Sequence, residues 1–216
     1  MKNIIIYGCG GFGREVLQIL HSINSERPTW NCLGFIVDPG YTDLTLLHGL
    51  PVVNSLKKFE GEDQLHIVIA IGDPLAKKII ANRLSGFGYK FPVLIHPKAW
   101  IGGNVSLDEG VVICANACLT TDIAVGAHVH INLSVTVGHD VELGSYSTCS
   151  PGANISGNVI VEDECYIGTG VTIIPGIKVG KGSVIGAGAA VVSDVQPQST
   201  AVGVPAKATT HRKTNL

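Results

Sequence analysis

Every sixth residue from Ile95 to Val191 is apolar, seventeen in unbroken succession, running through Ile101, Leu119, Leu143, Cys149 and Ile167. Four positions after each comes a small or β-branched residue, such as Val105, Ala117, Ser147, Ala153 or Ala189. The position directly after the aliphatic one is often glycine: Gly102, Gly126, Gly138, Gly144, Gly168, Gly180, Gly186. A repeat this short and strict predicts a solenoid. Three six-residue strands close one triangular coil of about eighteen residues. The aliphatic side chain points inward and stacks on its equivalent in the next coil. The small residue fits the corner, and the glycine is expected to supply unusual backbone angles there. The array has no long inserted loop, so a site must use coil faces, corners or a neighbouring subunit.

The first part of the chain has a different rhythm. "NIIIY" (3–7) reads as a strand ending in the glycine turn "GCGGFG". A helical pattern follows, with Val16, Leu17, Ile19 and Leu20 on one side. "CLGFIVD" (32–38) and "HIVIAIGD" (66–73) read as further strands. A helix is expected from about Pro74 to Leu84, and "FPVLI" (91–95) as a last extended segment. This is the βαβ signature of a parallel sheet. The expected division is 1–92, an α/β Rossmann-like domain, and 93–216, a β-helix. The polar end "TTHRKTNL" is expected to fray.

Composition narrows the function. Apolar residues make up 45% and charged residues 15% of the 216, enough apolar material for a large buried core. A net charge of −2 gives no basic excess for nucleic acid. No apolar stretch is long enough to span a bilayer, and "MKNIIIYGCG" is too short an apolar run for a secretory leader. The six cysteines form no CxxC pair, and Cys149 and Cys165 fall on packing positions of the repeat. The expectation is a cytoplasmic protein with reduced, buried thiols.

Three features carry chemistry. The turn Gly8–Gly13 lies between a strand and a helix, where backbone N–H groups and the helix terminus can hold a phosphate. Dinucleotide binding, with Asp38 on a ribose, is the rival. About 90 residues before the solenoid provide only one mononucleotide half. The second feature is "VTVGHDVELG" (135–144). His139 is the third residue of its hexad and should stack between Thr121 and Gly157. A base beside a glycine N–H that can hold an oxyanion suits acyl transfer. Asp140 could orient the ring, although neighbouring strand residues point oppositely and contact requires a corner. The third is the set His128, His130 and His139, which a zinc site would need to converge. None is one coil-length from another.

The motifs "IIIYGCGGFGREV", "GFIVD", "IAIGD", "LIHPKAWIG", "INLSVTVGHDVELG", "SPGANISGNV" and "AVGVPAK" resemble the sugar O- and N-acyltransferases with left-handed parallel β-helices. That family includes sialic acid O-acetyltransferase and the N-acetyltransferases of bacillosamine and perosamine synthesis. The resemblance covers nearly all of residues 3–207. It implies a homotrimer that binds a nucleotide sugar on the N-terminal domain and acetyl-CoA in the groove between β-helices, with no metal. On this chain it implies that Gly10, Gly11, Phe12 and Gly13 hold the sugar diphosphate and that Asp38, Gly72 and Asp73 flank the base. His139 would be the general base, aided by Asp140, and Asn132 would touch the substrate. Gly157, Gly168, Gly170, Ala187 and Lys207 would line the acetyl-CoA path. Many relatives carry a second histidine where this chain has Thr148, whose hydroxyl must replace it or leave the role absent. The expected reaction is acetylation of the amine of a nucleotide-linked 4-amino-4,6-dideoxy sugar. O-acetylation of a sugar of the sialic acid type, a zinc carbonic-anhydrase-like β-helix and a non-catalytic scaffold remain the alternatives.

Overall fold

The structure is a computed structural model that describes residues 1–59 and 64–209. The polar tail from residue 210, and with it the expectation that the tail frays, lies outside the described residues. The N-terminal part comprises β1 (Lys2–Tyr7), α1 (Gly11–Glu26), β2 (Trp30–Ile36), β3 (Leu46–Leu47), β4 (Leu50–Val53), β5 (His66–Ile69) and α2 (Pro74–Leu84). The sheet order is β3-β4-β2-β1-β5. β4, β2, β1 and β5 run parallel, and β3 turns back antiparallel on β4. The apolar run Ile4–Ile6 is fully buried because helices or the solenoid cover both faces of β1. The β3–β4 hairpin is short and contains Pro51, so its sequence carries little strand signal.

From Leu94 the chain winds as a parallel β-helix. Its strands recur on three faces: Leu94–Ile95, Val112–Ile113, His130–Ile131 and Thr148–Cys149 on the first; Trp100–Ile101, Cys118–Leu119, Thr136–Val137 and Asn154–Ile155 on the second; Val105–Leu107, Ile123–Val125, Glu142–Leu143 and Ile160–Val161 on the third. Each strand pairs with the one a coil away, as Thr136 with Asn154 and Leu143 with Val161. The hexad aliphatics form one continuous buried stack, from Ile113 through Val137, Cys149 and Ile173 to Val191.

The glycines after the aliphatic positions act differently from expectation. They do not take left-handed angles; the fourth hexad position does, at Asn104, Asp122, Asp140 and Asn158 with φ of 55°, 56°, 58° and 59°. The glycine is needed for space. A Cβ on Gly138 would sit 2.6 Å from the Gly157 nitrogen of the next coil. Stacked coils leave no room for a side chain where the backbone enters the corner.

The N-terminal part caps the first face. Val112 and Cys114 pack into the same apolar cluster as Ile4, Val16 and Leu20. The Phe12 ring lies 4.8 Å from that of His130, and Phe91 lies 4.9 Å from His128. Lys78 of α2 pairs with Glu164 at 2.7 Å across the same seam.

Candidate active site

The corner between the second and third faces carries His139 and Asp140. Asp140 is the left-handed residue of its hexad, so the chain turns the corner there. That turn brings the Asp140 Oδ2 to 2.7 Å from His139 Nδ1. The carboxylate accepts, so Nδ1 donates and the lone pair of Nε2 is left outward. Both side chains are more than half exposed, at 60% and 57%.

Gly157 lies one coil above. A Cβ there would fall 2.5 Å from His139 Cε1 and 2.6 Å from Nε2, so the imidazole rests against glycine backbone. Gly157 is buried, and among the described residues its N–H has no hydrogen-bond acceptor. Asn158 N–H, next in the chain, donates to the His139 carbonyl at 2.8 Å and fixes the two coils together. One coil below, Asp122 occupies the corner position equivalent to Asp140. Asn104 and Thr121 donate to its two carboxylate oxygens at 3.0 and 2.9 Å. The Asn104 and Thr121 hydrogen bonds, with His139 nearby, hold the Asp122 carboxyl below its ordinary range. The single visible signal for Asp122 was its place one coil from Asp140.

The other expected site residues lie elsewhere. Asn132, Gly168, Gly170 and Ala187 are on the corner between the first and second faces. The Asn132 side-chain oxygen accepts from the Leu133 N–H at 2.7 Å. Lys207 is exposed in the C-terminal strand Lys207–Thr209, antiparallel to Thr200–Val202. Within one chain, therefore, the second face separates this group from His139 and Gly157. Thr148 lies on the first face beneath α2, almost fully buried. Its hydroxyl donates to the Gly72 carbonyl at 2.8 Å and accepts from Lys77 Nζ at 2.9 Å. An open groove of about 690 Å³ runs along the third face past Glu142, Glu162 and Lys178, and its lining does not include His139.

The glycine turn opens α1 at the carboxyl end of β1, where open parallel sheets take ligands. Gly10 is the N-cap, and nothing approaches the position of a Cβ on Gly11 within 4 Å. Gly13 faces the Gly8 carbonyl so closely that no side chain fits. Phe12 points into the seam against His130. Asp38 follows β2, and its Oδ1 accepts from the Tyr7 hydroxyl at 2.8 Å and pairs with Arg83 at 2.8 Å. Burial and then the Asp38 bond push the Tyr7 phenol upward. Neither Tyr7 nor Arg83 stood out in the sequence. A hollow of about 400 Å³ beside Asp38 is lined by Val37, Asp43, Asn54 and Lys58. Asp73 is the N-cap of α2, accepting from the Ala76 N–H at 2.7 Å.

His128 and His130 are buried in the seam, against Phe91 and Tyr146 and against Phe12, while His139 occupies another corner. The three do not converge within one chain. Among the described residues no group of three or more His, Cys, Asp or Glu side chains could hold a metal.

The PglD N-terminal domain family matches residues 3–84, and the hexapeptide repeat of succinyl-transferase matches residues 158–193. WeeI from Acinetobacter baumannii AYE is 32% identical, over 97% of this chain and 100% of its own, with a TM-score of 0.88. The chain belongs to the hexapeptide-repeat sugar acyltransferases. PerB from Caulobacter crescentus, solved in complex with CoA and GDP-perosamine, is 26% identical over 97% of this chain and 98% of its own, with a TM-score of 0.86. GDP-perosamine N-acetyltransferase of Escherichia coli O157:H7 is 27% identical over 192 residues, 85% of this chain and 82% of the relative. The β-helix of this acyltransferase is left-handed, as in its relatives. Among the described residues no helix is long and apolar enough to cross a membrane.

Proposed function

We propose that this acyltransferase moves the acetyl group of acetyl-CoA to the amine of a nucleotide-linked 4-amino-4,6-dideoxy sugar in the cytoplasm. The observation that carries the reading is the His139–Asp140 pair set against the unpaired Gly157 N–H, in a chain similar across both parts to a GDP-perosamine N-acetyltransferase. Residues 1–92 hold the acceptor. The helix N-terminus at Gly10, Gly11 and Gly13 takes the diphosphate, and Asp38, Gly72 and Asp73 border the nucleoside. The β-helix from residue 93 performs the transfer.

The amine attacks the thioester carbonyl. His139 Nε2 takes the proton while Asp140 steadies the imidazolium through Nδ1. The tetrahedral oxyanion accepts from Gly157 N–H, and its collapse expels the CoA thiolate. No covalent enzyme intermediate is needed, and burial pushes the Cys149 and Cys165 thiols up to about 12.

The acceptor domain covers the first face, opposite the His139 corner, and Asn132, Gly168, Gly170 and Ala187 lie on a different corner from Gly157. A homotrimer would reconcile these positions if one chain's first corner meets the next chain's catalytic corner. Acetyl-CoA then lies between two subunits.

The test is CoA thiol release with GDP-, UDP- and dTDP-linked 4-amino sugars and with free sialic acid, on wild type and His139→Ala. Turnover of one amino-sugar nucleotide, lost in a folded His139→Ala variant, is expected. Turnover of free sialic acid alone would move the reaction to a hydroxyl acceptor.

A further inference from the structure

Lys77 is fully buried and carries an amine into the seam between the two parts. It projects from the first turn of α2, shortly after the Asp73 cap. Nζ donates to the Ser147 carbonyl at 3.2 Å and to Thr148 Oγ1 at 2.9 Å. The Thr148 hydroxyl donates onward to the Gly72 carbonyl at 2.8 Å. Two acceptors match the two N–H bonds of an uncharged amine, and burial drives the Lys77 pKa well below 10.5. A methionine would fill the same volume without the cost of desolvating an amine. The polar link therefore calls for a reason beyond packing.

Its two ends supply that reason. Gly72 belongs to the loop against which the glycine turn packs: a Cβ on Gly8 would meet Ile71 Cδ1 at 2.8 Å and the Ala70 carbonyl at 2.9 Å. Thr148 lies midway along the coil that leads from His139 to Gly157. The seam also holds the Phe12–His130 and Phe91–His128 rings, the packing of Val112 and Cys114 against Ile4 and Leu20, and the Lys78–Glu164 pair. They hold the two parts together without gripping the Gly72 backbone.

We propose that Lys77 and Thr148 are positioning residues for the acceptor, locking the Gly72–Asp73 loop that borders the nucleoside onto the first face of the β-helix. The proposal rests on the acceptor reading given above. A loop free to move must be ordered again each time the acceptor binds, and that ordering weakens acceptor binding by about tenfold.

Thr148→Val keeps the shape and removes both hydrogen bonds, Lys77→Met removes the amine, and Thr148→Ser keeps the hydroxyl. Steady-state kinetics in both substrates and amide hydrogen exchange test the set. Thr148→Val and Lys77→Met are expected to raise the acceptor KM about tenfold, with the acetyl-CoA KM within about twofold. Exchange across residues 70–77 should quicken while the His139–Gly157 coil stays protected, and Thr148→Ser should restore both readouts. Equal shifts in the two KM values, a fall in kcat alone, unchanged exchange, or failure of serine to rescue overturns the proposal. If Thr148→Val does not fold, Lys77→Met carries the same readouts. A wild type that acetylates no amino-sugar nucleotide overturns the acceptor reading and this proposal with it. An active wild type whose variants keep the acceptor KM overturns this proposal alone.

Discussion

Asp140 reaches back 2.7 Å to His139 Nδ1 because its own backbone is left-handed, with φ of 58°. On an extended strand the two side chains would face apart. Asp140→Asn keeps a residue tolerant of that backbone and removes the charge. The expected result is a fall in kcat of about tenfold to a hundredfold with melting temperature held, against about 10²–10⁴-fold for His139→Ala. Steady-state assays of the two variants check the order.

Gly157→Ala places a methyl 2.5 Å from His139 Cε1. The ring is more than half exposed and can swing outward, so the fold survives. Both the base and the oxyanion donor are displaced, and kcat should drop by about 10²-fold. Loss of turnover with an unchanged melting temperature is the expected pair of results.

Asp73 caps α2 through the Ala76 N–H. Asp73→Ala should cost about 1 kcal/mol, and Asp73→Ser should recover it. Kinetics of the serine variant separate the cap from any contact with the acceptor. A raised acceptor KM at restored stability marks a direct contact, and an unchanged KM limits the residue to capping.

Stability should fall on acidification through the seam histidines. Burial lowers His128 from 6.5 to about 4, and burial lowers His130 in the same direction. Unfolded chains therefore bind protons below pH 6.5 that the folded seam refuses. The contribution is complete above pH 6.5 and is lost as pH falls toward 4. The slope is at most about 1.4 kcal/mol per pH unit for each histidine. His128→Asn, which suits the left-handed position, should flatten the slope in urea titrations at successive pH values between 7 and 4. An unchanged slope would exclude His128 as a source.

The hexad period determined the solenoid, its inward residues and the stacking of His139 on Gly157, because an eighteen-residue coil converts sequence offset directly into spatial neighbourhood. The βαβ rhythm likewise determined α1, α2 and the parallel strands. The short β3–β4 hairpin escaped, since two-residue pairings carry no period. The role of the corner glycines also escaped: the need is space between coils, and only the stacked backbones reveal it. Tertiary structure decided everything that crosses between the two parts. The burial of Lys77, the commitment of Thr148 to Gly72, the capping duty of Asp73 and the Tyr7–Asp38–Arg83 cluster join residues whose separation in the chain follows no repeat.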